Sequence, residues 1–195
     1  MHHAAIHNQS DSMQILIEHG ATIGQRDSSC FSELYYCVSK GYYECLQVLL
    51  ENKANVEDKF NKETPLIIAT KNNHPDIVKA LLNTGANVKS DVEGRMVLLF
   101  SCIEGYSKIT ETILNLRKSV NLEAYNNTNN TSMNCAAGNN HFECLKLLLN
   151  HINRSLKADV DHKGNKGETE NDLMILPSVD CITVKSIVCI YYETK

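Results

Sequence analysis

The sequence lacks the features of a protein that binds nucleic acid, spans a membrane or is secreted. Its 195 residues include 19 lysines and arginines against 23 aspartates and glutamates, so it lacks the basic excess that binds phosphate backbones or anionic lipids. No segment reaches the roughly 20 apolar residues of a membrane-spanning helix, and the nearest, Cys181 to Tyr192, contains Lys185. The residues after Met1 lack the basic stretch and apolar core of a secretory signal. We therefore expect a cytoplasmic protein, with the nucleus left open, that binds no nucleic acid and inserts into no membrane.

The eight cysteines lack the spacing of a metal or redox site. No CxxC pair and no doublet of doublets occurs, so a zinc site is not indicated. A buried apolar thiol has a raised pKa and is a poor nucleophile. Several cysteines fall at small or apolar positions of the repeat described below, which favours buried, reduced thiols of an intracellular protein. They are Cys37, Cys45, Cys102, Cys135 and Cys144.

Other residue patterns that could carry chemistry are incomplete. His3 and His7 lie four residues apart and would share a helix face, but no third metal ligand accompanies them. Asp159 and Asp161 lie in a polar segment where Lys163 occupies a position that a calcium loop needs for a ligand. We expect no catalytic residues, no metal and no cofactor, and hence no enzyme.

What the chain does contain is a motif that returns every 32 to 35 residues. Short helices are predicted to begin near Leu34, Leu66, Leu98 and Met133, which are 32, 32 and 35 residues apart, and Met1 opens an incomplete first unit. A period in this range is typical of a stacked solenoid, in which each unit packs against its neighbours. The predicted fold is therefore all-α, with about five helix-turn-helix units.

Each unit repeats the same order of elements. A small residue such as Ala69 follows the start of the first helix and lets neighbouring helices approach closely. A glycine or asparagine, such as Gly41 or Asn73, then tolerates the left-handed backbone that ends a helix. A second, amphipathic helix follows, and a turn such as the one at Gly85 leads to a short extended segment.

This layout resembles the ankyrin repeat over roughly residues 1–153. The third unit matches the family's pattern most fully, with Thr64-Pro65-Leu66, Asn73-His74 and Gly85-Ala86 at the family's spacing. The family's histidine after Thr-Pro-Leu, which ties one turn to the next, survives only as His2. The resemblance implies a solenoid with short β-hairpin loops. Because weak units fray locally, it also implies uneven stability along the array.

The repeat is irregular at both ends. A turn is predicted at Ala158–Asp161, and Pro177 would break the first helix of a sixth unit. Residues 154–195 are therefore expected to be an insertion followed by a degenerate terminal repeat, a cap or a disordered segment. The predicted units are 1–24 (partial), 25–57, 58–89, 90–121 and 122–153.

The resemblance also implies where a partner would bind. Ankyrin arrays usually bind along a concave side that the hairpin tips and the exposed positions of the first helices form. Phe31 and Phe60 are apolar where the family tolerates polar residues, which suits a protein interface, although both rings could simply cover the hairpin bases. The implied partner-binding residues are Ser28, Ser29, Phe31, Lys40, Phe60, Asn61, Glu63, Lys71, Asn72, Val92, Glu93, Arg95, Ile103, Glu104, Asn127 and Thr128.

A further column of residues recurs once per unit. Tyr36, Ile68, Phe100 and Cys135 could line a ligand groove, but an apolar stripe at the repeat spacing is what stacking of the first helices requires. We interpret the column as core.

The function that follows is that of an intracellular protein-protein interaction module, an adaptor or scaffold that acts as a monomer on another protein. Two alternatives stay open. The chain could be a detached regulatory or targeting segment of a larger protein, such as an enzyme or a channel. It could also be a decaying repeat gene product without a selected partner. The sequence does not name the partner, because a fold does not fix a function.

Overall fold

The described part of the chain consists of α-helices in pairs. The computed structural model describes residues 1–87, 97–116, 122 and 130–164, with side chains described up to residue 154. The helices are α1 (His2–Ile6), α2 (Ser10–Glu18), α3 (Glu33–Lys40), α4 (Tyr43–Glu51), α5 (Pro65–Lys71), α6 (Pro75–Asn83), α7 (Val97–Ile103), α8 (Ser107–Leu116), α9 (Ser132–Gly138) and α10 (Phe142–Gly164). Odd-numbered helices open units 1 to 5 and even-numbered helices close them. This all-α repeat confirms the predicted fold class.

The first helices of units 2 to 5 begin one residue before the positions that the period predicts. Ser32, Thr64 and Thr131 precede three of them, and each side-chain oxygen accepts a hydrogen bond from the backbone N–H three residues on, at 3.3–3.4 Å. A cap of this kind is worth about 1 kcal/mol of helix stability. Pro65 adds a preset φ at the first position of α5, where its missing N–H costs nothing.

The two helices of each pair are joined through a residue in the left-handed conformation. The angle φ is 52° at Asn8, 76° at Gly41, 55° at Asn73, 74° at Gly105 and 59° at Asn140. In every pair the following backbone N–H bonds to the carbonyl five residues earlier, at 2.8–3.0 Å. This bond satisfies a carbonyl that the end of the helix leaves unpaired. The prediction that glycine or asparagine ends the first helix is confirmed.

The helices stack in two rows. The helices α1, α3, α5, α7 and α9 contact one another in that order, and α2, α4, α6 and α8 do the same. Apolar side chains from both rows are buried, among them Leu66 and Leu99 of the first row and Ile77 and Ile113 of the second. Small side chains let the first row pack closely. Each helix of that row has a fully buried small residue at the corresponding position; these are Ala5, Cys37, Ala69, Ser101 and Ala136.

Two junctions between units carry a histidine packed on a glycine. The His74 ring of unit 3 lies over Gly41 of unit 2, and its Nε2 lies 3.2 Å from the Ser39 carbonyl oxygen. The same arrangement joins units 4 and 5. There the His141 ring lies over Gly105, and its Nε2 lies 2.9 Å from a carbonyl oxygen at the end of α7. A half-buried backbone carbonyl thereby gains a hydrogen-bond partner from the neighbouring unit.

The junction between units 1 and 2 uses a different histidine. His2 Nε2 lies 3.0 Å from the Gln25 carbonyl oxygen and 3.1 Å from that of Phe31. Its Nδ1 faces the fully buried Glu33 carboxylate at 3.7 Å, and the other Glu33 oxygen accepts the Gly24 N–H at 3.0 Å. The interpretation of His2 as a tie between consecutive units is confirmed. The buried Glu33 was not expected from the sequence.

The hairpins of units 2 and 3 take different forms. Phe60 and Glu63 form an antiparallel bridge around Asn61 and Lys62, whose φ angles of 45° and 69° are those of a tight two-residue turn. The unit 2 hairpin is closed instead by the Asp27 N–H, which donates to the Phe31 carbonyl oxygen at 2.9 Å. The corresponding residues 88–96 and 123–129 lie outside the described residues.

The chain divides into two compact units, residues 1–147 and 148–195. Within the second, the described residues continue α10 to Gly164. The turn predicted at Ala158–Asp161 is wrong, because α10 contains no proline and no glycine before its last residue, so nothing in its sequence ends the helix earlier. Pro177 lies outside the described residues. No helix in the described part is both long and apolar enough to cross a membrane.

Candidate protein-binding surface

The hairpins of units 2 and 3 bond to the first helices that follow them. On α3, the Tyr36 hydroxyl donates a hydrogen bond to Asp27 Oδ2 at 2.6 Å. On α5, Lys71 Nζ forms an ion pair with the Glu63 carboxylate. The two hairpins and the sides of α3 and α5 that they touch form one surface. We call it the hairpin face and define it by residues 26–31, 35, 36, 39, 40, 58–63 and 71.

The Tyr36–Asp27 hydrogen bond shifts the titration of both groups. The Tyr36 hydroxyl, helped by the backbone N–H groups of Phe31 and Ser29, holds the pKa of Asp27 below its usual value of 3.8. The same bond raises the pKa of Tyr36 to about 12. At neutral pH the pair is therefore a phenol donating to a carboxylate.

Four aromatic rings meet on the hairpin face. The Phe31 ring stacks on Tyr35 with centroids 4.2 Å apart, and it lies 4.3 Å from Phe60 of the next hairpin. Tyr35 lies 4.5 Å from Phe60 and 5.8 Å from Tyr36. All four side chains are half-buried. This group, called the aromatic cluster below, joins the hairpins of two units to α3.

An arginine ties the same two hairpins together. Arg26 Nη1 donates to the Cys30 carbonyl oxygen at 2.9 Å within its own hairpin. Its Nη2 donates to Asp58 Oδ1 at 2.5 Å and to the Lys59 carbonyl oxygen at 3.1 Å in the next one. Arg26 was not among the residues expected from the sequence. Arg26 and Asp58 are 32 residues apart, so a search for opposite charges separated by one repeat would have found the pair.

On the hairpin face, two acidic side chains form ion pairs, whereas three lysines form none with a described residue. Asp58 and Glu63 form ion pairs with Arg26 and Lys71. In contrast, the side chains of three exposed lysines have no hydrogen bond or ion pair with any described residue. These lysines are Lys40, Lys59 and Lys62.

A family model described as ankyrin repeats (3 copies) matches residues 1–59 and 34–124 of this sequence. The chain belongs to the ankyrin repeat family. Ankyrin repeats are protein-interaction modules, and the helix pairs, left-handed turns and hairpins described above are those of the repeat.

Several longer proteins contain a segment that is similar to this chain. It is 29% identical over 161 residues to transient receptor potential cation channel subfamily A member 1 of Homo sapiens, covering 77% of this chain and 14% of that protein. It is 28% identical over 151 residues to ankyrin repeat and KH domain-containing protein mask-1 of Caenorhabditis elegans, covering 75% and 6%. It is 51% identical over 61 residues to the Drosophila melanogaster protein mask, covering 30% and 2%. The chain thus spans a small part of the length of each relative.

The structure brings part of the expected ankyrin surface together. Phe31 contacts Phe60, and Glu63 pairs with Lys71. Four further residues expected to bind a partner are exposed on the same hairpin face; they are Ser28, Ser29, Lys40 and Asn61.

The other residues expected to bind a partner lie outside the hairpin face or outside the described residues. Asn72 ends α5, and its side-chain amide donates to the Ile68 carbonyl oxygen at 2.9 Å, so it is bonded to its own helix. In unit 4, Ile103 is half-buried and Glu104 is exposed. The others lie outside the described residues and stay predictions; they are Val92, Glu93, Arg95, Asn127 and Thr128.

Of the four residues in the column interpreted as core, only two are buried. Ile68 and Cys135 are buried, whereas Tyr36 and Phe100 are half-buried. Sequence reasoning placed Tyr36 in the core because its position recurs once per unit, but its hydroxyl belongs to the hairpin face. Tyr35, on the neighbouring position of α3, was missed altogether. Two adjacent tyrosines, four and five residues after Phe31, were the available signal.

The thiols of the repeat lie inside it. Cys37, Cys45, Cys102, Cys135 and Cys144 are all buried, as the sequence predicts. Burial raises the pKa of Cys37, Cys45 and Cys135, which disfavours the nucleophilic thiolate. The described residues hold no group of three histidine, cysteine or acidic side chains arranged for a metal ion.

Proposed function

We propose that this ankyrin chain binds another protein through the hairpin face, as an intracellular adaptor or scaffold. The observation that carries the proposal is the aromatic cluster, in which four half-buried rings lie together beside exposed polar and charged side chains. Aromatic side chains of this kind supply much of the energy of protein interfaces. The buried, reduced thiols of Cys37, Cys45, Cys102 and Cys144 support an intracellular setting, where such thiols persist.

An unbiased peptide library tests the proposal. Peptides displayed at random would be selected on the whole 195-residue chain, and the site of the selected peptides would be mapped by amide hydrogen exchange. We expect slower exchange in residues 26–40 and 58–71 when a selected peptide is bound. The variant Lys40→Glu should weaken binding and the matched variant Lys79→Glu, on the exposed side of α6, should not. Protection confined to α2, α4, α6 or α8 would contradict the hairpin face as the site.

A second candidate function has its own support. Each relative described above is several times longer than its match to this chain, and one of them is a cation channel. The repeats would then be a regulatory or targeting segment of a larger protein. An antibody raised against the chain and used on cell extracts separates the two candidates. A band at the size of 195 residues supports the adaptor, and a much larger band supports the segment.

A further inference from the structure

We propose that the hairpin face of units 2 and 3 binds an acidic peptide segment that carries an apolar anchor residue. This inference rests on the proposed protein-binding function and names the chemistry of its partner. Two features of the hairpin face carry it. One is the aromatic cluster, and the other is a set of exposed lysines on the same face that form no ion pair with a described residue.

The aromatic cluster supplies a place for the anchor. Phe31, Tyr35 and Phe60 pack with their centroids 4.2–4.5 Å apart, yet all three residues are only half-buried. The Tyr35 hydroxyl forms no hydrogen bond with any described residue. A leucine or aromatic side chain of a partner would bury the exposed parts of these rings. Buried apolar contacts of this kind supply much of the free energy of binding.

The lysines surround this place. Lys59 and Lys62 flank Phe60 in the unit 3 hairpin. Lys40 follows Tyr36 by four residues on α3, a spacing that places both on one side of the helix. All three side chains are exposed. A partner with carboxylates on both sides of its anchor would meet a cation on each side, which favours its encounter and its orientation.

The acidic groups of the hairpin face are already engaged. Asp58 accepts from Arg26, and Glu63 pairs with Lys71. Asp27 accepts hydrogen bonds from the Tyr36 hydroxyl and from two backbone N–H groups of its own hairpin. A basic peptide would have to compete with these internal bonds. An acidic peptide would not, although the whole chain has a net charge of −4.

The packing of the rings favours a peptide over single-stranded nucleic acid. Bases bind such surfaces by stacking on open ring faces. The Phe31 ring stacks on Tyr35 at an interplanar angle of 20°, and Phe60 packs against both rings with centroids 4.3 and 4.5 Å away. The stacked faces of Phe31 and Tyr35 are therefore not open to a base. An aliphatic or aromatic side chain of a partner would contact the parts of the rings that remain exposed.

Defined peptides and fluorescence anisotropy test the proposal on the whole chain. Labelled peptides would combine acidic, neutral or basic flanks with leucine, phenylalanine or serine at the centre. We expect the acidic peptides with leucine or phenylalanine to bind at least about 10-fold more tightly than those with serine, because the anchor provides most of the energy. Raising the salt from about 0.05 to about 0.3 M should weaken their binding several-fold.

Charge reversal provides the decisive variant and its control. The triple variant Lys40→Glu, Lys59→Glu and Lys62→Glu should lose about 10-fold or more in affinity for the acidic peptides. These lysines form no hydrogen bond or ion pair with a described residue, and all three are exposed, so the variant should fold. The control reverses three exposed lysines of the second helices and should change affinity by less than about 2-fold. It is Lys79→Glu, Lys108→Glu and Lys146→Glu.

The outcomes separate this inference from the function on which it rests. Equal affinity of the triple variant and the control, or equal binding of basic and acidic peptides, would overturn the acidic partner. If library peptides without acidic residues protect the hairpin face, the inference fails and the proposed function stands. If no peptide protects that face, both fail. Single-stranded DNA that binds as tightly as the acidic peptides would also overturn the assignment to a peptide.

Discussion

The junction between units 2 and 3 and the junction between units 3 and 4 differ at one pair of positions. At the first, the His74 ring lies over Gly41. At the second, the corresponding positions hold Asn73 and Tyr106, and the Tyr106 ring packs instead against Phe100 of its own unit, with centroids 6.4 Å apart. A Cβ added to Gly41 would lie 2.8 Å from the His74 ring. Histidine on one unit therefore requires glycine on the unit before it.

The same rule explains an alternation along the array. The pairs at the four junctions are asparagine with tyrosine, glycine with histidine, asparagine with tyrosine, and glycine with histidine. The histidine bonds to a carbonyl of its neighbour only in the second and fourth. A histidine therefore bonds unit 3 to unit 2 and unit 5 to unit 4. At the junction of units 3 and 4 no such bond is present between described residues, and Tyr106 packs against Phe100 of its own unit. This gives a specific form to the prediction of uneven stability.

Adding a Cβ under the histidine is expected to have the largest effect. Gly41→Ala and Gly105→Ala force the ring away and also place alanine at φ of 76° and 74°. We expect each to lower the free energy of unfolding by about 2–4 kcal/mol. Gly85→Ala is the control, because φ is 96° there but nothing lies within 4 Å of the added Cβ, so a loss of only about 1 kcal/mol is expected. Urea unfolding measures all three, and equal losses would contradict the role of the ring contact.

Replacing the histidine with alanine should lower the free energy of unfolding by less than the glycine substitutions do. His74→Ala and His141→Ala each leave a carbonyl of the neighbouring unit without its donor, and about 1–2 kcal/mol should be lost. Tyr106→Phe is the control at the corresponding position, and its expected change is within about 0.5 kcal/mol. A loss from Tyr106→Phe as large as from His74→Ala, again by urea unfolding, would remove the distinction between the two kinds of junction.

The contact between glycine and histidine can also be introduced at the junction of units 3 and 4. The double variant Asn73→Gly and Tyr106→His gives the junction of units 3 and 4 the pair found at its two neighbours. We expect a gain of about 1 kcal/mol, since glycine tolerates the left-handed backbone better than asparagine and the new histidine can bond to unit 3. Slower amide exchange in α5 and α7 would show the gain locally. Unchanged exchange together with unchanged stability would mean that the pair needs more of its surroundings than these two positions.

The smallest effect is expected inside the junction of units 4 and 5. The buried Thr110 hydroxyl lies 2.9 Å from Ser101 Oγ and 3.6 Å from Cys144 Sγ. Unit 3 has Val78 at the corresponding position. Thr110→Val should change stability by less than about 1 kcal/mol, because Ser101 Oγ keeps its bond to the Leu98 carbonyl oxygen at 2.8 Å and sulfur is a weak partner. A larger loss in urea unfolding would show that the hydroxyl contributes as much as the histidine.

Much of this could be predicted because the information is local. The glycines and asparagines that end the first helices, and the caps at Ser32, Thr64 and Thr131, act through bonds to residues within five positions. The repeat register then follows from spacing. The hairpin face was only partly predicted. Phe31 and Phe60 stood out as apolar residues in a polar loop, whereas Tyr36 was assigned to the core and Arg26 was overlooked. Their roles depend on which residues lie opposite them.

The sequence by itself determined the family, the all-α class, the start of each first helix and the left-handed residue after it. Helix propensity, capping and periodicity act over a few residues and leave a readable pattern. Only the tertiary structure decided which units share a histidine, that Arg26 bonds to Asp58, and that Glu33 is buried beside His2. These contacts join residues about one repeat apart. They exist because stacking places consecutive units at a distance where a ring, a guanidinium or a carboxylate can reach across, and spacing alone does not say which side chain does so.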